Sequence, residues 1–478
     1  MPKTPPESLE AFVHRQPASK LAAVLLELAE VHEAVKERLL RLQLADRPDK
    51  LAAGFRKTLM AWQRSTRYYN YRDAPAYGQM LQAWLDQVGR ELVPKDPAAG
   101  LALFEAFIEA DEVWFEHADD SAAAIGDTVR SACRHWLQAA ALCKTPPDVW
   151  PERLMGLYLA DDYGAREELL RSADLLLPEP ALRTLVARFE SRLADVLAAA
   201  SSSRGLPHEV YTISAALSLL SEAVGDPDVM VRAVLRYSPE PNALQRESFV
   251  QAYLRAERPD GALTWLREPW NDREDDRRSL LAHVLERLGR FKESVPVRRQ
   301  VFERSPSVFY LQCWFAHLPD GDRAEAEACV RQLALNHEDL ATAASLLIEL
   351  GDVEAAESRV VADADRLSGE YYGSLESLTK AFRTHACWRA ETVVYRALLL
   401  GILDRAYAKA YRHGARYWAR LGEIAASSPN LGLLKSHESF VTEVRLRHGR
   451  KHAFWAQVDA RGDGVSDMED DRDEGSEL

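Results

Sequence analysis

At 478 residues, with 47% hydrophobic and 28% charged side chains, the chain is too long for one compact core and too apolar for a disordered segment. Sixty Lys and Arg against 74 Asp and Glu leave a net charge of -14, the opposite of the basic excess that a dedicated nucleic-acid binder carries. Five scattered cysteines, Cys133, Cys143, Cys313, Cys329 and Cys387, predict reduced thiols rather than a disulfide framework, which points to the cytoplasm.

No hydrophobic signal region opens the sequence, and no apolar run approaches the roughly 18 to 20 residues that span a bilayer, so no membrane partner is expected. From residue 18 onward apolar residues recur at three and four, as in Leu21, Leu25, Leu28 and in Leu51, Phe55, Leu59, Trp62, the helical period. Pro, Gly and Asp interrupt the pattern at Arg47-Pro48-Asp49, Pro94-Lys95-Asp96-Pro97, Lys144-Thr145-Pro146-Pro147 and Gly225-Asp226-Pro227. The amphipathic pattern restarts within a few residues each time, so the expected fold class is all-α, with roughly twenty or more helices joined by short turns as antiparallel hairpins.

The second half has a period. The small residue after each hairpin turn falls at Ala262, Ser294, Ala326, Ala356 and Ala390, separations of 32, 32, 30 and 34. The run Ala282, Leu285, Leu288-Gly289, Phe291, Ser294, Val301, Pro306 resembles a tetratricopeptide unit, and Ala344, Leu347, Leu350-Gly351, Val353, Ala356, Val360 is a second copy. A small residue on the second helix lets the first approach closely, and the glycine closes the turn. Trp265, Lys292 and Asp363 depart from the consensus types, so the expectation is a helical-hairpin superhelix, tetratricopeptide-like in the second half. The first 200 residues show no such period. Residues 199–207, small and polar, read either as a linker or as a loop within one continuous solenoid. The division expected is an N-terminal helical domain over 1–200, a repeat domain over 206–458 and an acidic disordered tail over 459–478.

Several stretches together resemble an uncharacterised bacterial family of unknown function, related to the helical regions that follow SWIM-type zinc fingers. They are Lys20 to Glu30, Arg64 to Tyr69 ahead of Tyr77, Ala110 to Glu116, Asp119-Asp120-Ser121 with Gly126-Asp127, and Asp161-Asp162-Tyr163-Gly164. The resemblance implies an all-helical repeat fold and no particular activity. The chain has no Cys-x-Cys followed by Cys-x-His, so no role of that zinc finger carries over.

No phosphate loop, dinucleotide fingerprint, His-Glu-x-x-His, Cys-x-x-Cys or nucleophile elbow occurs, and neither catalytic residues nor a cofactor is expected. Glu105, Glu109, Glu112 and Glu116 fall at one-face helical spacing. Two such faces could build a carboxylate metal site, although Glu112 and His117, five apart, do not make the Glu-x-x-His pair of di-metal bundles. The plainer reading is a solvated acidic face, with Asp119, Asp120 or Ser121 capping the next helix. Cys313 and His317, with Cys329 and His337, match no zinc module and read as core positions. Residues 459–470 resemble a calcium loop but carry Arg461 at its third position.

Two basic stretches stand out. Arg405, Lys409, Arg412, Arg416 and Arg420 are expected as a stripe on one helix from about 402 to 421, beside Tyr407, Tyr411, Tyr417 and Trp418. The block 402–452 has ten basic and four acidic residues, and 463–478 has one and eight, so the tail could fold back on the stripe and compete with an acidic partner. Arg56, Lys57, Arg64, Arg67 and Arg72 mix with Trp62, Tyr68, Tyr69 and Tyr71, as in single-strand binders or in inter-helix packing. The function expected is a non-enzymatic scaffold that grips an unknown protein or peptide, with Tyr371, Tyr372, Arg405, Lys409, Arg412, Arg416 and Arg420 as candidate binding residues. The alternatives are a nucleic-acid-associated accessory protein using that basic stripe, and a metal-dependent enzyme using the carboxylates near 105–120.

Overall fold

A computed structural model describes residues 8–462 except 45, 201–204, 371, 429–431 and 433. Within them the regular elements are helices, and the one extended pairing is an isolated bridge between Tyr69 and Ala118. No helix among the described residues is long and apolar enough to cross a membrane. Contacts divide the chain into two compact units at Arg267/Glu268.

The first unit carries α1 (Leu9–His14), α2 (Ala18–Val31), α3 (Glu33–Gln43), α4 (Pro48–Gln63), α5 (Ala74–Gln87), α6 (Pro97–Ile108), α7 (Asp111–Glu116) and α8 (Ala124–Leu142). It continues with α9 (Trp150–Leu159), α10 (Glu168–Arg171), α11 (Glu179–Ala200), α12 (His208–Val224), α13 (Pro227–Tyr237), α14 (Ala243–Arg255) and α15 (Pro259–Leu266). Proline opens α4, α6, α13 and α15, where the missing N–H costs nothing. Asp96 caps α6 through the Ala99 N–H at 2.9 Å, and Asn242 and Gln245 form a reciprocal capping box on α14. The core centres on α5, α6 and α8, where Leu81, Phe104, Phe107 and Trp136 are buried together with Trp114 of α7. The helices on either side of residues 199–207 pack on each other, with Leu193 of α11 and Val210 of α12 both sealed in that core.

The second unit carries α16 (Glu274–Arg287), α17 (Phe291–Arg304), α18 (Val308–Phe315), α19 (Asp320–Asn336), α20 (Leu340–Glu349) and α21 (Val353–Ala362). It ends with α22 (Tyr372–Thr384), α23 (Trp388–Asp404), α24 (Tyr411–Ser427), α25 (His437–His448) and α26 (His452–Gly462). Most successive helices pack on each other, as α16 does on α17, α20 on α21 and α22 on α23, and α18 also meets α20, α20 meets α22 and α21 meets α23. Its core runs from Phe302 through Trp314, Leu347, Phe382 and Leu399 to Phe454.

The positions aligned by the sequence period are interior. Ala262, Ser294, Ala356 and Ala390 are fully buried and Ala326 nearly so. The turns recur with them. Gly225, Glu257, Gly289, Gly351 and Ala386 all have positive φ, between 54° and 77°. Each is followed by a residue whose N–H returns to the carbonyl five positions back, as Arg290 does to Leu285 at 2.8 Å and Asp352 to Leu347 at 2.9 Å. This is the left-handed cap that ends one helix and launches the next. At 257 and 386 it is taken by residues other than glycine.

Candidate partner-binding surface

The basic stripe does not lie on one helix. α23 ends at Asp404, Arg405 caps it, Ala406 turns left-handed (φ 53°), and residues 408–410 form a 3-10 turn before α24 begins at Tyr411. Only Arg412, Arg416 and Arg420 share a helix. The break lets Tyr411 and Ala410 enter the core, and no glycine or proline announces it.

At least three of the five cations are also occupied. Arg405 donates to the Gly401 carbonyl at 2.9 Å and reaches the Gly369 carbonyl at 3.4 Å. Arg416 pairs with Glu376 of α22 at 3.3 Å. Arg420 bonds Glu391 at 2.9 Å and Glu423 at 2.9 Å, and Glu391, fully buried in the first turn of α23, also takes Arg383 at 3.2 Å. Lys409 lies exposed in the 3-10 turn and Arg412 exposed on α24. Tyr372 opens α22 with its ring edge-on to His413, 6.3 Å between centroids, while Tyr371 lies outside the described residues. Burial, with Tyr372 beside it, pushes the Tyr417 phenol far up, and burial followed by Arg416 and Arg412 holds His413 below its ordinary value. Of the predicted residues, Tyr372, Arg416 and Arg420 thus lie in a cross-linked seam between α22, α23 and α24.

The acidic face is likewise divided. Glu105 belongs to α6, where it accepts from Trp136 Nε1 at 2.9 Å and pairs with Arg153, whereas Glu112 and Glu116 belong to α7. No group of three or more His, Cys, Asp or Glu that could hold a metal ion occurs among the described residues. Cys313 lies on α18 and His317 beyond its end, stacked on Phe291. Asp459 to Gly462 continue α26, and the remainder of the calcium-like loop and the tail, 463–478, falls outside the described residues.

The stretches that carried the family resemblance lie in the first unit, and those from Arg64 onward contact one another there. Asp111, at the start of α7, receives both Arg166 Nε at 2.7 Å and Nη2 at 2.8 Å, and each side chain is 4% exposed. Arg166 Nη1 bonds the Leu157 carbonyl at 3.0 Å. Burial works against the Arg166 charge, but the hydrogen bonds and charge of Asp111 outweigh it and raise its pKa. Asp161 collects the N–H groups of Gly164 and Arg166 at 2.9 and 2.8 Å, and Tyr163 stacks on Phe115. Asp120 caps α8 through the N–H groups of Ile125 and Gly126, as expected of an Asp-Asp-Ser ahead of a helix. Tyr69 stacks on Tyr77 at 4.1 Å and bridges to residues 117–119 through its backbone, with Arg67 over its ring. Tyr68 and Tyr71 remain exposed while Trp62 packs on the core. Burial pushes the Cys133 thiol far above its ordinary value, which leaves it unreactive as a nucleophile.

Two clefts were not visible in the sequence. One, about 210 Å³, lies among α12, α13 and α14, lined by Tyr211, Ala215, Ser218, Tyr237 and Gln245. The other, about 260 Å³, lies among α18, α19 and α20, lined by Gln312, Phe315, Ala316, Arg323 and Glu349. In both, a cleft opens beside the leading helix of one pair and the leading helix of the next. In the second, Gln312 donates to Glu349 at 2.8 Å and Arg323 sits over the Phe315 ring. The first cleft alternates aromatic faces with hydroxyl and amide groups, whereas the second sets Phe315 beside Gln312, Arg323 and Glu349.

Fold and surface together define an all-helical protein whose consecutive helices pack in pairs. The chain belongs to the family of unknown function DUF6880, which it matches over residues 10–457. No curated protein and no solved structure matches it.

Proposed function

We propose that the chain is a non-enzymatic helical-repeat scaffold, tetratricopeptide-like in its second half, that binds an extended segment of another protein along the leading helices of its pairs. The observation that carries this reading is that each unit has a shallow cleft between leading helices, between α12 and α14 and between α18 and α20. The left-handed caps at 225, 257, 289, 351 and 386 and the buried small residues at 262, 294, 326, 356 and 390 support a repeat. A repeat presents the same helix face again and again, so within a unit an extended segment can lay a side chain into a cleft between leading helices. The five free cysteines support a reducing, cytoplasmic setting.

The test is affinity capture from nuclease-treated lysate, using the wild-type chain and a variant with Ala215→Trp and Ala316→Trp, two exposed cleft positions. A discrete protein retained by wild type and lost by the variant at unchanged melting temperature supports the reading. Capture that is insensitive to both substitutions overturns it, as does capture that disappears with nuclease and with Arg412→Glu and Arg416→Glu.

A further inference from the structure

A buried charge needs a counter-charge, because the protein interior solvates an ion poorly. Among the described residues each buried Arg, Asp and Glu has one, with a single exception. Arg166 has Asp111, Glu168 has Arg134, Arg298 has Glu286, and Glu391 has Arg383 and Arg420. Arg396 of α23, 9% exposed, makes no ion pair among them. Its Nη2 donates to the Lys435 carbonyl at 3.0 Å, its guanidinium lies 4.6 Å from the centre of the Phe440 ring, and its Nε, sealed from solvent, donates to nothing. Burial holds this guanidinium below its ordinary value, opposed by the charge of Glu443, which is itself bonded to Lys435 at 2.9 Å. The residues between α24 and α25 that fall outside the described ones, Pro429, Asn430, Leu431 and Leu433, carry no carboxylate.

The contacts of Arg396 place its guanidinium at the start of α25, a helix of 12 residues. Ser436 caps that helix by accepting from the Ser439 N–H at 3.2 Å, while the N–H groups of His437 and Glu438 in its first turn meet no acceptor among the described residues. Lys435 and His437 flank the cap. Burial, followed by the charge of Arg396, holds the His437 imidazole below its ordinary value, so the ring lies within the field of the guanidinium. Glu438, exposed on the same turn, and Glu443 are the carboxylates nearby in sequence, and neither pairs with Arg396. A positive helix end, a buried guanidinium with most of its donors unused and two further basic side chains make a built anion site. Phosphate suits it better than a carboxylate does, because its oxygens accept from more donors at once and match both the planar guanidinium and free helix N–H groups. We propose that Arg396 and the first turn of α25 bind one phosphate group, with His437 and Lys435 as outer donors. None of these residues lines either cleft, so the site stands independently of the scaffold reading.

The experiment titrates inorganic phosphate into the full chain against chloride at matched ionic strength, reading the melting temperature and the phosphorus NMR line width of the ion. At phosphate roughly ten times its dissociation constant the folded-to-unfolded ratio should rise about elevenfold over the chloride control, and the line should broaden. Arg396→Met, which keeps an aliphatic stem over Phe440 and removes the unpaired charge, should lose both responses. His437→Asp leaves Arg396 in place, suits the first turn of a helix and brings a carboxylate to the site, so it should weaken phosphate binding by roughly tenfold or more. Phosphoserine binding more tightly than inorganic phosphate would assign the group to a larger ligand, and equal or weaker binding to the free ion. A wild-type chain that responds to phosphate no more than to chloride, as it would if its own acidic tail filled the site, overturns the proposal. So does a response that either variant leaves undiminished.

Discussion

Replacing Asp111 by asparagine tests what its buried pairing with Arg166 contributes. Asp111 and Arg166 are each 4% exposed and joined by two hydrogen bonds, so removing the carboxylate charge leaves a guanidinium buried with the Leu157 carbonyl and one amide oxygen. Breaking one partner of such a pair costs about 3–5 kcal/mol, and the retained amide oxygen places asparagine near the lower bound, about 3 kcal/mol. The first unit spans 267 residues, a size for which each kcal/mol moves the melting point by about 2–4 °C, so a fall of roughly 6–12 °C is expected. Near-ultraviolet circular dichroism reports on this unit through Trp114 and Trp136, both sealed in its core, together with the buried Trp270 and Trp314 of the second unit. Removing both charges, with Asp111→Leu and Arg166→Met, should recover at least half of the loss, because no unpaired charge then remains. A loss under about 1 kcal/mol for Asp111→Asn, or a double variant as damaged as the sum of its singles, would refute the buried-pair account.

Other outcomes follow from particular contacts. A Cβ on Gly401 would sit 2.7 Å from the Gly369 carbonyl oxygen, whereas one on Gly422 of α24 meets nothing within 4 Å. Gly401→Ala should therefore destabilise by about 1–2 kcal/mol and Gly422→Ala stabilise by about 0.5–1 kcal/mol in urea titrations, and equal effects would refute the close approach. Trp136→Ala, which empties a fully buried site and strips Glu105 of a donor, should cost about 3–5 kcal/mol by the same assay. Burial holds His135, His413, His437 and His448 below the ordinary value. Unfolded histidines take up protons near pH 6.5 while these four do so only at lower pH. The unfolded state then binds more protons, and stability should fall as pH drops below about 6.5. A melting temperature that rises on acidification from pH 7.5 to 5.5 would contradict those environments.

Helix content was legible because apolar residues at three and four spacing mark a buried face whatever that face packs against. The period was legible where a small residue must be buried, as at Ser294 and Ala356, and where glycine supplies the left-handed turn, as at Gly289 and Gly351. It was hidden at Glu257 and Ala386, which take the same positive φ without a glycine's signature. The run from Ile402 to Leu421 read as one helix because Arg405 to Ala410 contains no breaker. Ala406 turns there because Ala410 and Tyr411 are drawn into the core, a tertiary demand that local propensity does not carry. Charge was the least legible property. The partner of Asp111 lies 55 residues away, that of Arg416 lies 40 away, and spacing within one helix cannot announce a counter-charge on another.

The central claim, that the leading helices present clefts to an extended partner, is tested most directly by photo-cross-linking in cells of origin from position 215 and position 316. Position 142, an exposed leucine on α8 away from both cleft linings, serves as the control. The account predicts that each cleft position cross-links to an extended segment of a partner protein, while position 142 does not. Cross-links no more specific at 215 and 316 than at 142 would contradict it.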